Sequence, residues 1–297
     1  MFMNERELFE VTYLQLCISL QAQESARLPK HLGSALRGVL GQVLYRTDRK
    51  LYEFLYENGK ECKDQQDIVK PYVIIPPAVC GTELVVQKGE ELKFEILLFG
   101  KGVKCAASLI DSLQKMKRLV IGAQRYPFYL LRIIDTLEQR ILWQEDRDFI
   151  RAICTKKLLH LKLEGVTGAV VQLQTPLRIR RGGKLLTHIS FETLIRNITK
   201  RIVMLVERYG GWVDYEEVKN IQILAAKVQT VKEEVKVEFL ERYSNRLHGK
   251  MDFSGLIGEL EYAGDLTPFV PWLAAAQVLH IGRNTTFGMG KVQVYFI

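Results

Sequence analysis

Three glycines within nine residues, Gly282, Gly288 and Gly290, stand directly ahead of the alternating run Val292 to Ile297. This pairing restricts the fold more than any other stretch of the chain. Glycine reaches φ > 0 without steric cost and leaves no side chain. Val292, Val294 and Phe296 alternate with Gln293, Tyr295 and Ile297, which is the period of a strand. A glycine loop therefore feeds a final strand. Arg283 and Lys291 are interleaved with the glycines, and two readings follow. Successive N–H groups form an anion-binding concavity, or the loop is a hairpin corner packed on its own sheet. The spacing Gly282-x5-Gly288-x-Gly290 is neither GxGxxG nor a Walker A loop, and it precedes a strand rather than a helix.

Earlier in the chain the same two periods recur. Leu8 to Leu20 reads as a strand, Gln21 to Lys30 as a polar loop, and His31 to Arg46 as a helix with Leu32, Leu36, Leu40 and Val43 on one face. Gly33, Gly38 and Gly41 lie within that helix, where each costs up to about 1 kcal/mol relative to alanine, so close packing or approach to a ligand is implied. Thr47 to Lys70 reads as a charged insertion with a short helix around Leu51 to Tyr56, and Pro71 to Cys80 as an extended connector. Glu91 to Phe99 is a strand, Val103 to Lys117 a helix, and Phe128 to Trp143 again has β character. After a charged boundary and a linking strand at Leu158 to Leu163 the order repeats. It runs strand Gly168–Ile179, helix Ser190–Tyr209, strand Val228–Tyr243, strand Ser254–Tyr262, helix Asp265–Val278 and the final strand. The expected fold class is α+β, with two tandem ferredoxin-like (βαββαβ, RRM-like) domains. The first would span 1–148 with an insertion around 47–80. The second would span 149–297 with the glycine-rich loop at 280–291. The open sheet face of such a domain suits a bound RNA.

The 297 residues carry a formal charge of +8, which favours a polyanionic partner. Met1 to Glu10 has three glutamates and no apolar core, so a signal peptide is not expected. No apolar run approaches a membrane span. Cys17, Cys62, Cys80, Cys105 and Cys154 are scattered without a CxxC pair. Neither a disulfide framework nor a zinc site is suggested, and a reducing cytoplasm fits.

Four further stretches join the terminal loop: Thr175-Pro176-Leu177-Arg178-Ile179-Arg180-Arg181-Gly182-Gly183-Lys184, Arg242-Tyr243-Ser244-Asn245-Arg246, Gly264-Asp265-Leu266-Thr267-Pro268-Phe269, and the shorter Gly33-Ser34-Ala35-Leu36-Arg37-Gly38-Val39-Leu40-Gly41. In order and spacing the chain resembles the RAMP superfamily of CRISPR-associated RNA-binding proteins. Within it, the likeness is to endoribonucleases that cut precursor CRISPR RNA at each repeat. The resemblance covers about Val166 to Ile297. It implies cleavage without a metal or other cofactor, by attack of a ribose 2′-OH on the adjacent phosphorus, leaving a 2′,3′-cyclic phosphate and a 5′-OH. It also implies CRISPR repeat RNA, as a stem-loop, for partner, with CRISPR effector subunits as further partners. Monomer and homodimer both remain open.

Histidine suits the two proton transfers near neutral pH. Family members often place a catalytic histidine near the first helix, which assigns His31 by position, with Lys30 or Arg37 assisting. His280 faces RNA or ends a helix, and Tyr45 orients a phosphate or lies in the core. His188 and His248 read as solvated and His160 as structural. Arg178, Arg180, Arg181 and Lys184 crowd around Gly182-Gly183 without an acid among them, which suits clamping of an RNA backbone. Gly282, Arg283, Gly288, Gly290 and Lys291 complete the expected RNA contacts. A non-catalytic RNA-binding subunit of a CRISPR effector complex and an interaction protein with no RNA role are the rival readings.

Overall fold

In the computed structural model, residues 7–57, 68–145, 153–244 and 249–297 are described. A short β1 (Phe9–Glu10) precedes β2 (Thr12–Ala22). In β2, Leu14, Leu16, Ile18, Leu20 and Ala22 are buried, while Tyr13, Gln15, Cys17 and Gln21 are half-buried, so the period of two holds the strand on one core. Then follow β3 (Ala26–Pro29), α1 (Gly33–Thr47), α2 (Arg49–Tyr56), β4 (Tyr72–Ile75), β5 (Glu83–Val86) and β6 (Glu91–Phe99). Next come α3 (Ala106–Lys115), β7 (Arg118–Ile121), β8 (Tyr126–Asp135) and β9 (Arg140–Gln144). The sheet runs β4-β6-β2-β8, with β7 and β9 both paired to β8. Leu36, Leu40 and Leu44 of α1 and Leu109 and Leu113 of α3 join Leu92, Phe94, Ile96 and Leu98 of β6 in one apolar core.

Beyond β10 (Lys156–Lys157) come β11 (Gly168–Leu177), β12 (Arg180–Arg181), β13 (Lys184–Leu185), α4 (Phe191–Tyr209), β14 (Trp212–Val213) and α5 (Tyr215–Ala225). The chain ends with β15 (Gln229–Glu238), β16 (Glu241–Ser244), β17 (Gly249–Asp252), β18 (Gly255–Ala263), α6 (Val270–Leu279) and β19 (Val292–Phe296). Their sheet is β15-β18-β11-β19, antiparallel throughout. Taking β2, β4, β6, β8 in one sheet and β11, β15, β18, β19 in the other, both have the spatial order second, third, first, fourth. Phe191 of α4 packs edge-on against Tyr262 of β18 at 5.0 Å and against Phe269 at 4.8 Å, which fixes that helix on its sheet.

Several expectations change. Residues Thr12–Lys156 form one unit, and residues up to Val11 join Lys157–Ile297 in the other. The division thus falls at 156/157 rather than 148/149, and Phe9–Glu10, the start of the expected first strand, groups with the other unit, while Thr12–Ala22 does not. The cause is local. β1 pairs with β14, the Val11 carbonyl accepts from Leu158 N at 2.9 Å, and the Phe9 carbonyl bonds His160 Nε2 at 2.7 Å. His160 is structural as expected, but residues 158–163 form no strand, and Leu159 is 85% exposed. Within the expected insertion at 47–80 the short helix forms as α2, capped by Asp48 accepting from Leu51 N, but Tyr72–Ile75 is β4, a strand of the main sheet rather than a connector. β3 replaces part of the polar loop by pairing with β5. α5 was not anticipated. Asp214 caps it by accepting from the amides of Glu216 and Glu217 at 3.0 and 3.2 Å, a start signal readable in the sequence. Exposed Ile223 blurs its apolar stripe.

Gly41 in α1 is explained by packing. A β-carbon there would lie 2.8 Å from the Tyr56 ring. Gly41→Ala is therefore expected to destabilise the protein by about 1–3 kcal/mol, although alanine is the better helix former. Urea denaturation of the two proteins measures it, and a stabilised variant would refute this packing role.

Candidate nucleic-acid interface

The loop before β19 is a strap fastened to the end of β11. Gly282, Gly288 and Gly290 have φ of 78°, 82° and 71°. Ile281 N donates to Gly290 O at 2.9 Å, Gly290 N to Pro176 O at 3.1 Å and Arg283 N to Arg178 O at 2.8 Å. Thr175 Oγ1 donates to Gly288 O at 2.8 Å and accepts from Lys291 N at 2.9 Å. A β-carbon on Gly290 would fall 1.8 Å from the Ile281 carbonyl oxygen, and one on Gly282 would fall 2.7 Å from that of Arg178. Gly288 and Gly290 are buried. The corner reading of this loop is the one realised. The amides of Gly288, Gly290, Lys291 and Arg283 are engaged inside the protein, so they do not form the expected phosphate cradle. The side chains of Arg283 and Lys291 are half-buried.

His280 enters this strap at φ 55° and is wholly buried. Its Nδ1 lies 3.1 Å from Met289 O. Since a carbonyl only accepts, Nδ1 carries the proton. Burial pushes the imidazole down to about 3. A neutral, solvent-excluded ring cannot meet RNA, so His280 leaves the catalytic set and serves as a clamp across the strap. Buried Arg201 of α4 donates to the neighbouring Leu279 carbonyl at 3.3 Å, and its guanidinium is lowered to about 10 by burial. Nothing in the local sequence signals that role.

The basic run divides. The chain leaves β11 at Leu177, and Arg178 and Ile179 are both buried, so the alternation that would put Arg178 beside Arg180 is lost. Arg178 donates through Nη1 to Ser254 O and through Nη2 to Asp252 Oδ2 at 2.8 Å. The guanidinium, with Ser254, holds the Asp252 carboxyl well below the usual carboxylate range. Arg178 is therefore an internal brace and not an RNA contact. Arg180, Arg181 and Lys184 are exposed. Arg181 pairs with Lys184 across the two-residue turn Gly182-Gly183, whose φ values of 55° and 80° are those of a type I′ hairpin. The twin glycines are thus a turn requirement, and they project three cations into solvent.

Arg242 of β16 was quoted only as part of a motif. Its guanidinium lies 4.9 Å from the Phe253 ring and 4.8 Å from that of Phe287 in the strap, so it stacks the β16–β17 hairpin onto the glycine loop. The sheet face opposite the helices carries Gln172, Glu259 and Glu234 in one cross-strand row and Glu261 and Lys232 in the next. Exposed Lys236 lies in a further row opposite Ile257, and Lys232 pairs with Glu234 at 2.9 Å, so this face mixes acids with cations.

In the other unit, His31 is half-buried and immediately precedes the capping residue of α1, Leu32, with half-buried Lys30 before it. Arg37 is drawn into a tyrosine cluster, its Nε donating to the Tyr72 hydroxyl at 3.0 Å and its guanidinium 4.5 Å from the Tyr56 ring. Burial raises both phenols, which stay neutral. Arg37 is accordingly a packing residue before it is anything else. Tyr45 is 57% exposed, so it does not lie in the core. Exposed His188 bonds Glu233 through Nδ1, and His248 falls outside the described residues. Among the described residues, no three histidine, cysteine or carboxylate side chains gather as a metal-ligand group, and no helix is long and apolar enough to cross a membrane.

Two main antiparallel sheets with helices packed on them define an α+β protein, and the β12–β13 hairpin carries cations at its surface. Residues 171–292 match the family model described as CRISPR-associated endoribonuclease Cas6. A further model, described as an N-terminal domain, matches residues 9–155. A relative from Archaeoglobus fulgidus, described as an uncharacterized protein, is 22% identical over 285 residues, covering 90% of this chain and 92% of its own. Among solved structures, a Thermus thermophilus Cas6 product complex superposes with a TM-score of 0.61 at 13% identity, covering 96% of this chain and 99% of that one. A second Cas6 product complex gives 0.56 at 17% identity over the same shares. At these identities the likeness concerns the fold.

The pH dependence of stability tests the place of His280. Folded, it stays neutral down to about 3, whereas the unfolded chain takes up the proton near 6.5. A depressed histidine therefore removes stability as pH falls from about 6.5 towards 3, by at most about 1.4 kcal/mol per unit. Chemical denaturation of the wild type and of His280→Gln at a series of pH values should give a shallower acid slope in the variant. Equal slopes would show that the ring is accessible to protons.

Proposed function

We propose that this protein is a metal-independent endoribonuclease that binds CRISPR repeat RNA and cleaves the precursor transcript. The observation that carries this reading is the Cas6 endoribonuclease match over residues 171–292, which takes in the strap and both hairpins. Each unit is read as a ferredoxin-like domain, on the shared second-third-first-fourth strand order. In the reaction the 2′-oxygen bonds to phosphorus as the P–O5′ bond breaks. The 2′ proton passes to a base and O5′ receives one from an acid, leaving a 2′,3′-cyclic phosphate and a 5′-OH. His31 carries one of these transfers. Lys30 beside it offsets charge on the phosphate, and Arg180, Arg181 and Lys184 hold the RNA backbone through their charge.

A second reading is favoured by the burial of His280, which removes one of the expected proton-transfer groups. On that reading the chain is a non-catalytic RNA-binding subunit of a CRISPR effector complex.

Incubation with repeat RNA in EDTA separates the two. Cleavage is expected, and a requirement for added magnesium would defeat the metal-free mechanism. His31→Ala should slow single-turnover cleavage by about 10²- to 10⁴-fold with repeat binding retained, and RNA carrying a 2′-deoxy nucleotide at the cut site should bind and survive. Intact RNA with tight binding by the wild type would support the subunit reading. Replacement of Arg180, Arg181 and Lys184 together by alanine should weaken binding and flatten its logarithmic salt dependence by about 2 to 3. An unchanged salt slope would remove the hairpin from the interface.

A further inference from the structure

We infer that an unpaired stretch of the RNA substrate crosses α1, with its sugar–phosphate backbone seated at Gly38 and a base against Tyr45. The identity of the ligand rests on the nuclease reading above. The placement rests on the helix itself. Gly33 is buried, and Gly41 makes room for the Tyr56 ring. Gly38 is exposed, and a β-carbon added there would meet nothing within 4 Å. Glycine at an interior helical position costs about 1 kcal/mol relative to alanine, and among the described residues no close contact at Gly38 offsets it. The bare backbone at Gly38 is open to a ligand that approaches from outside.

The neighbours of Gly38 indicate what approaches. Gln42 and Tyr45 follow it on the same exposed stripe, four and seven residues on. Tyr45 therefore lies about 10 Å further along the helix axis. His31 stands just ahead of the first turn. The Tyr45 ring is held in place by the Arg49 guanidinium at 4.2 Å and by the edge of Tyr52 at 5.2 Å, yet stays largely open to solvent. Arg49 is also answered by Glu53 at 3.1 Å and Glu57 at 3.5 Å. The pair thus offers a stacking surface more than a phosphate clamp. A fixed aromatic ring beside a stretch of open backbone suits an unpaired strand, whose bases are free to stack on protein, better than a duplex. On this placement Tyr45 binds RNA and takes no part in proton transfer.

The test uses the full chain as wild type, Gly38→Ala, Tyr45→Ala and Tyr45→Phe, with repeat RNA made 2′-deoxy at the cut site for binding and unmodified RNA for cleavage. Gly38→Ala should melt at the same or a higher temperature than the wild type, yet bind RNA several-fold more weakly. A purely structural glycine would give the opposite pair of results. Tyr45→Ala should lose about 5- to 100-fold in affinity, and Tyr45→Phe less. If the wild type cleaves and both alanine variants bind as it does, this inference falls while the nuclease reading stands. If the wild type binds without cleaving and both variants are weakened, the inference stands and the nuclease reading falls. A wild type that binds no RNA overturns both. A change in molecular mass by light scattering for Gly38→Ala, with RNA affinity unaltered, would make the face a contact between copies of the chain and overturn the inference.

Discussion

Gly290 gives its amide to Pro176 and its carbonyl to Ile281, and it stands where a β-carbon would lie 1.8 Å from the Ile281 oxygen. That backbone crossing ties the strap to the end of β11. From it follow the register that sets Val292 opposite Leu173 and Val294 opposite Val171, the burial of His280 and the seat of Phe287 against Arg242. The glycines are demanded by close backbone contact within the chain. A loop rich in glycine and cations near an expected phosphate is easily taken for a phosphate cradle, and here its amides are already engaged.

The same strap sorts the charges. Arg283 N donates to the Arg178 carbonyl, and the Arg178 side chain turns inward to Asp252 and Ser254. Only after Ile179, also buried, does the chain emerge as the β12–β13 hairpin. One run of four cations therefore contains a buried brace and three exposed groups. Burial of Arg178 is tolerable because both ends of its guanidinium have oxygen partners. Arg180, whose Nη2 donates to the Gly183 carbonyl, Arg181 and Lys184 stay exposed to solvent.

Much of the architecture was legible. α4 is long, strictly periodic, capped by Ser190 and stopped by Gly210, so its limits follow from local chemistry. The alternation of β19 and β11 was equally plain. What escaped were elements whose existence depends on a distant partner. β3 forms because β5 lies beside it, β4 because β6 does, and β1 belongs with the C-terminal unit because β14 accepts it. Of the candidate residues, Arg180, Arg181 and Lys184 are exposed and His31 stands ahead of α1, which is a matter of placement and not of role. His280, Arg178 and Arg37 depart from the sequence reading, since no sequence pattern tells a solvent-facing cation from one that a carbonyl, a carboxylate or a tyrosine has drawn inside.

What the amino-acid order alone determined was periodicity and turn chemistry, which are properties of residues a few positions apart. These include the α+β alternation, the helix ends, the twin-glycine turn and the need for positive φ before the last strand. Tertiary structure decided burial. Whether an imidazole keeps its proton near neutral pH, whether an arginine reaches solvent, and whether a glycine serves packing, as Gly41 does, or leaves a helix bare, as Gly38 does, depend on groups dozens of residues away. Only the folded chain brings those groups within hydrogen-bonding or van der Waals distance.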